Sequence, residues 1–268
     1  MANLYHNSNS DGWTPTEARG IQLSSFHEEC VDFHPALSSK HFLPIPQGHG
    51  TLLDMSADDF PTNFDGIDSK VASTLELSSG THFGYILEGA VDVKSKHGLY
   101  HLCSSTYFCI PGPASLYASS QTRGFIATRH NYAGQFLIGG QVTPGPGRIS
   151  YIDNASTDLL VHPAEVGAPC FNKLFFPAHQ RQTPHTHPSF RMTCAINGEG
   201  FCEVPDLPPI RITRGVMFVI PAGGVHAINT RDQSLTLITF HPESVGPGNP
   251  MLDSTIMRKV ESCKHPGI

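Results

Sequence analysis

The sequence predicts an all-β protein built from two similar units, and three observations predict it. Gly (25) and Pro (22) together supply about a sixth of the 268 residues, so turn-formers interrupt the chain at short intervals. The segments between them have strand length and are rich in β-branched and aromatic residues. One pattern also occurs twice: Gly89 in ILEGAVDV returns as Gly198 in INGEGFCEV, and Pro111 in YFCIPGPAS returns as Pro221 in MFVIPAGGV, at a constant spacing of about 110 residues. Each copy runs strand, Gly turn, strand, return path, then an aromatic strand ending in Ile-Pro. Duplication of one unit explains this, and short strands at such spacing fit a small barrel or sandwich.

Taken in order, residues 1–70 are mixed and polar, with Pro44, Pro46 and Pro61 and an acidic stretch at Asp54, Asp58 and Asp59. They read as an N-terminal arm with a few edge strands, packing on a barrel or a partner subunit. Residues 71–142 carry VASTLELSS, FGYILEGAVDVKS, STYFCIPGPAS and GFIATRHNYAGQFLIGG and read as the first barrel. A Pro/Gly-rich linker occupies 143–169. The second barrel spans 170–242, with FNKLFFPAH, RMTCAINGEGFCEV, VMFVIPAGGVHAI and LTLITFHP, and 243–268 form a tail.

Charged residues make up 15% and the net charge is −6. That argues against a nucleic-acid partner, because there is no basic face for phosphates. Sixteen histidines against seventeen Lys plus Arg point to metal or proton chemistry. The seven cysteines form no C-x-x-C pair, and the start MANLYHNSNSDGW is polar where a signal peptide needs an apolar stretch. Cytoplasmic location with free thiols is the expectation. No apolar run approaches the roughly 20 residues of a membrane-spanning helix, so no membrane partner is expected.

Three histidines have spacing that carries chemistry. His185 and His187 are separated by one residue, so on a strand they face the same way. His226 follows just after the Ile-Pro turn, where an antiparallel return can bring it against the first two. Three neutral imidazoles suit a divalent transition metal such as Fe, Mn, Co, Ni, Cu or Zn and leave coordination positions open. The bland alternative is that they are polar residues on a strand and a turn.

PHTHPSFRMTCAINGEG and GVMFVIPAGGVHAIN resemble the two motifs of the cupin superfamily: His-x-His, a Gly eleven residues on, then Gly215, Pro221, Gly223, His226 and Asn229. The resemblance covers roughly 71–142 and 170–242. It implies tandem double-stranded β-helix (jelly-roll) barrels, a bicupin, with His185, His187 and His226 as metal ligands. Where cupins usually carry a glutamate ligand, this chain has Arg191. In the first half the equivalent positions are Glu76, Ser78 and Leu116, with His82 opposite Arg191, so the N-terminal barrel is expected to be metal-free.

A dication on three neutral ligands keeps its full charge, which an anionic substrate would balance. Arg191 is then a candidate to hold a substrate carboxylate bidentately, as a catalytic and binding residue, against the alternative of a surface or structural ion pair. Such a site is similar to the three-histidine cupin dioxygenases of the gentisate and salicylate type, which implies Fe(II) and a small carboxylate- or enol-bearing substrate. A second resemblance, to the ureidoglycine aminohydrolases, implies a redox-neutral hydrolase, isomerase or cyclase; a non-catalytic small-molecule-binding cupin is the third option.

Gln182, three residues before His185, and His241, at the end of LTLITFHP, are further substrate-binding candidates; the alternative for His241 is a hydrogen-bonded structural histidine. His179 and Arg181 read as solvated rim residues. Phe175, Phe176, Phe190, Phe201, Phe218 and Phe240 read mostly as core, one or two of them walling a pocket. Cys194 and Cys202 read as small apolar side chains. The resemblance further implies a homodimer.

Overall fold

The structure, a computed structural model, describes residues 71–244 apart from 166, 206 and 207, together with short strands between residues 5 and 69 and one at 258–259. Among these residues every regular element is a β-strand. The chain divides into two compact units, one from Met1–Phe33 and Leu43–Thr143, the other from His34–Phe42 and Pro144–Ile268. Much of what reads as arm and tail, with Cys30 and Cys263, lies outside the described residues.

The first unit contains β1 (Tyr5–Asn9), β2 (Gly12–Pro15) and β3 (Gln22–Leu23). After β4 (Phe42–Pro44), at the boundary of the units, come β5 (Gly48–Asp54), β6 (Thr62–Ser69), β7 (Ser73–Leu77) and β8 (Thr81–Glu88). The unit closes with β9 (Ala90–Ser95), β10 (Gly98–Cys103), β11 (Tyr107–Pro111), β12 (Ala114–Ala118), β13 (Thr122–Arg129) and β14 (Leu137–Gly139). Two sheets result, ordered β10-β9-β12-β7 and β14-β11-β8-β13-β6-β5-β3. The first alternates: Val91 and Val93 on β9 and Ala114, Leu116 and Ala118 on β12 turn inward, the period-two pattern of a sheet with one wet face. β8 and β13 are central and buried along nearly their whole length. Ile86, Val93, Phe108, Ile110, Leu116 and Ile126 fill the space between the sheets.

The second unit contains β15 (Ile149–Ser150), β16 (Ser156–Val161), β17 (Cys170–Phe176), β18 (His185–Thr186), β19 (Arg191–Glu203), β20 (Ile210–Thr213), β21 (Val216–Ile220), β22 (Ala227–Asn229), β23 (Leu235–His241) and β24 (Arg258–Lys259). One sheet runs β15-β16-β17-β23-β19-β21. Thirteen-residue β19 pairs with β21 and β23 through its first half and with β20 and β22 through its second, so it passes from one sheet into the other. Leu174, Phe176, Ile212, Phe218, Leu235 and Leu237 form its apolar core.

The two units repeat one strand order. β8 pairs with β11 and β13, and β9 with β10 and β12; β19 alone makes the corresponding pairings with β21, β23, β20 and β22. The break between β8 and β9 falls at Gly89 and the matching position in β19 is Gly198, both with positive φ, 74° and 77°. At Gly198 a Cβ would lie 1.8 Å from the Ser234 carbonyl oxygen, so only glycine allows the strands this close. The repeat seen in sequence is thus a repeat of tandem jelly-roll units. β5 and β6, preceding residue 71, extend the first unit's sheet, and β15 and β16, from the segment read as linker, extend the second's.

No helix long and apolar enough to cross a membrane occurs among the described residues. Of the described cysteines, Cys103 is exposed and Cys109, Cys170, Cys194 and Cys202 are buried, all as free thiols. Burial pushes Cys109 and Cys170 up to about 12, so they behave as small apolar groups.

Candidate metal centre

The second unit's polar residues converge at one end of its interior. His185 opens on the two-residue β18, and His226 stands just before β22. Their backbones exchange two hydrogen bonds, His185 N–H to His226 O at 3.0 Å and His226 N–H to His185 O at 3.1 Å. The Gly223 N–H donates to the His187 carbonyl at 2.8 Å, from a turn in which Gly223 has φ of 73°. That conformation is one glycine adopts without strain, which gives the glycine after Pro221 a local physical reason.

These backbone links bring three imidazoles together. One ligand atom from each of His185, His187 and His226 lies within 4.8 Å of the others, and all three side chains are buried. Ring centroids are 4.3 Å apart for His185 and His226 and 5.0 Å for each pair with His187. His185 Nδ1 lies 3.0 Å from the Thr183 carbonyl and His226 Nδ1 3.0 Å from the Gly224 carbonyl. A carbonyl only accepts, so each Nδ1 carries the proton and each Nε2 presents a bare lone pair, the orientation of metal-ligating histidine. Burial drives the His226 pKa down to about 3, with His185 adding to the effect, and burial also lowers that of His185. Both rings are neutral near pH 7, as ligands must be. This donor set fits a divalent transition metal. No second such group occurs among the described residues.

The histidines open on a cavity also lined by Tyr151, Gln182, Arg191, Thr193, Thr239 and His241, with Phe176 and Phe218 among its apolar walls. Arg191 begins β19 and is only 1% exposed, so the reading of a surface ion pair does not describe it. Its Nη1 donates to Ser189 O at 3.1 Å, Ser189 Oγ at 2.5 Å and Phe190 O at 2.8 Å. Ser189 Oγ in turn donates to Glu243 Oε1 at 2.6 Å. Burial works against the guanidinium's charge and Glu243 partly offsets it. Ser189 and Glu243, both buried, escaped the sequence reading: Glu243 stands one residue past the expected end of the barrel, and a contact across 54 residues has no local signature. Two-residue alternation from Thr239 and His241 is the signal that could have pointed to it.

The remaining candidates divide. Gln182 lines the cavity, yet its Oε1 accepts the Ile228 N–H at 2.8 Å, while its own N–H donates to Asn229 Oδ1 at 2.8 Å. It therefore binds the segment before His185 to β22. His241 is 2% exposed and neither ring nitrogen has a hydrogen-bond partner, unlike a satisfied structural histidine. His179 and Arg181 are exposed. Phe190 and Phe240 are core, and Phe175 and Phe201 are partly exposed.

In the first unit, the corresponding residues do not converge. Glu76 is exposed and accepts a hydrogen bond from Ser115 Oγ at 2.6 Å, Ser78 is exposed, and Leu116 lies in the core. His82 is buried between Thr128 Oγ1 at 2.9 Å from Nδ1 and Ser78 O at 3.2 Å from Nε2.

The chain is similar to many solved structures, three of which follow. Protein Ylba from E. coli superposes with a TM-score of 0.54 at 15% identity over 86% of this chain and 94% of that one. A cupin 2 conserved barrel domain protein from Leptotrichia buccalis gives 0.51 at 15% over 72% and 86%, and AerE from Microcystis aeruginosa 0.50 at 14% over 75% and 98%. Likeness at this identity establishes the fold, and the molecule is an all-β protein of the cupin fold. No family model and no curated protein matches the sequence.

Proposed function

We propose that this chain is a mononuclear metal-dependent enzyme acting on a small anionic organic acid, and that the metal, Fe(II) first, is held by His185, His187 and His226. One observation carries the reading: three buried imidazoles, two of them anchored through Nδ1, bring their ligand atoms within 4.8 Å of one another in a cavity whose wall includes a buried arginine. When bound, such a metal supplies Lewis-acid chemistry and, as iron, redox chemistry with dioxygen. The three neutral ligands leave its charge uncompensated, and an anionic substrate compensates it. Arg191, one nitrogen of which is fixed on Ser189 and Phe190, lines the cavity from a rigid position and orients the substrate carboxylate. Phe176 and Phe218 keep the wall apolar, so each charge interaction acts in a medium of low dielectric.

Dioxygenase chemistry on a carboxylate- or enol-bearing substrate is the first form of the proposal. Redox-neutral isomerase, cyclase or hydrolase chemistry is the second, favoured by the unpartnered imidazole of His241 on the cavity wall. Oxygen uptake by the iron-loaded protein with a panel of phenolic acids, diketones and hydroxy acids separates the two. Substrate-dependent uptake that falls at least tenfold in Arg191→Ala supports the first; turnover without uptake supports the second.

A further inference from the structure

We infer that the wall formed by Arg191 and His241 selects an acid bearing a hydroxyl group beside its carboxylate. The inference rests on the small-acid reading of the cavity and narrows it to a ligand class. Its basis is the hydrogen-bond capacity that His241 leaves unspent.

The strand register places the two residues together. Met192 pairs with Phe240 along β19 and β23, so the next step of the ladder sets Arg191 opposite His241, and both line the cavity. Two steps further on the same face, Thr193 and Thr239 are paired and spend their hydroxyls on each other, Oγ1 to Oγ1 at 3.1 Å. Gln182 spends its side-chain carbonyl on the Ile228 N–H. Arg191 can only donate.

His241 differs from these neighbours. Burial, and the cationic Arg191 beside it, hold its pKa well below the ordinary histidine value. The ring is therefore neutral, with one N–H donor and one bare nitrogen acceptor, and neither atom has a partner within the protein. A buried polar atom left unpaired destabilises the empty site, and a ligand group bonded to it removes that cost.

A bare nitrogen next to a guanidinium calls for a ligand that places an acceptor on the arginine and a donor on the histidine. An ammonium group would donate but would face the Arg191 charge. A hydroxyl donates without charge, and it can also accept from the N–H tautomer. A carboxylate with a neighbouring hydroxyl meets both demands.

The test uses acetate and glycolate, which differ by one hydroxyl, titrated calorimetrically into the full-length protein, zinc-loaded and metal-stripped, as wild type and as His241→Phe. Wild type is expected to prefer glycolate over acetate by about tenfold more than His241→Phe does, the equivalent of one strong hydrogen bond. Zinc chelation by glycolate is common to both proteins and cancels in this comparison. Acetate affinity is expected to stay within about twofold, and His241→Asn, which keeps a donor and an acceptor, to retain part of the preference. In wild type, the ¹⁵N shifts of His241 should move with glycolate and not with acetate, a readout independent of either variant's folding. Equal preference in wild type and His241→Phe, unmoved ¹⁵N shifts, or no binding of either acid to wild type overturns the inference. Zinc content separates the two levels: protein that takes up no zinc contradicts the metal reading, while the metal-stripped titrations still decide the role of His241.

Discussion

His82 is completely buried, bonded to Thr128 and to the Ser78 carbonyl, and burial lowers its pKa from 6.5 to about 4. Between those values the unfolded chain binds a proton at this residue and the native chain does not, so stability falls as pH falls through that window. The loss amounts to roughly 3 kcal/mol by pH 4. Melting curves from pH 7 to pH 4 should show a steeper decline for wild type than for His82→Gln; parallel declines would contradict the assignment. Gly198 makes the second prediction at this scale. Ala there combines φ of 77° with a Cβ 1.8 Å from the Ser234 carbonyl oxygen, and urea denaturation should register a loss of about 3 kcal/mol or more. The sequence displayed this glycine through its repetition at Gly89. It displayed His185, His187 and His226 through alternation and motif spacing. It could not display whether His241 has a partner, because hydrogen-bond satisfaction depends on which atoms the finished fold brings near.

The strands around the site show why sequence reads periodicity better than pairing. β9 and β12 alternate cleanly, so their inward residues follow from the residue order alone. That β6 joins β13, or that β16 joins β17, depends on pairing between separate segments, so the sheets reach further than the segments read as barrels. Gln182 is the case that bears on the site. Read beside His185 it is a candidate substrate contact; in the fold it stitches that segment to β22, helped by Thr230 N–H to Gln180 O at 3.0 Å and Gln180 N–H to Thr230 Oγ1 at 2.9 Å. Cutting the stitch loosens the His185 segment from the His226 segment. Gln182→Ala should weaken zinc affinity by about 10- to 100-fold, measured by competition with a chromogenic chelator, while Gln182→Glu, which still offers a carbonyl-type acceptor to Ile228, should lose less. Unchanged affinity in Gln182→Ala would remove its positioning role.

Across the molecule, one strand order is used twice and one set of converging imidazoles occurs among the described residues. The duplication was legible because glycine and proline recur at fixed spacing. The asymmetry was legible because Glu76, Ser78 and Leu116 stand where the second unit has histidines. The polar floor of Ser189, Arg191 and Glu243 was only partly legible, through Arg191, since Glu243 joins it through Ser189 from 54 residues further along the chain. The proposed function stands on His185, His187 and His226 forming one metal centre in each chain. Elemental analysis of the protein after loading with divalent metal and desalting tests it most directly, alongside His226→Ala confirmed as folded by circular dichroism. One metal ion per wild-type chain and almost none in the variant is the expected result; equal metal content in the two proteins, or a wild-type chain that retains no metal, would overturn the three-histidine assignment.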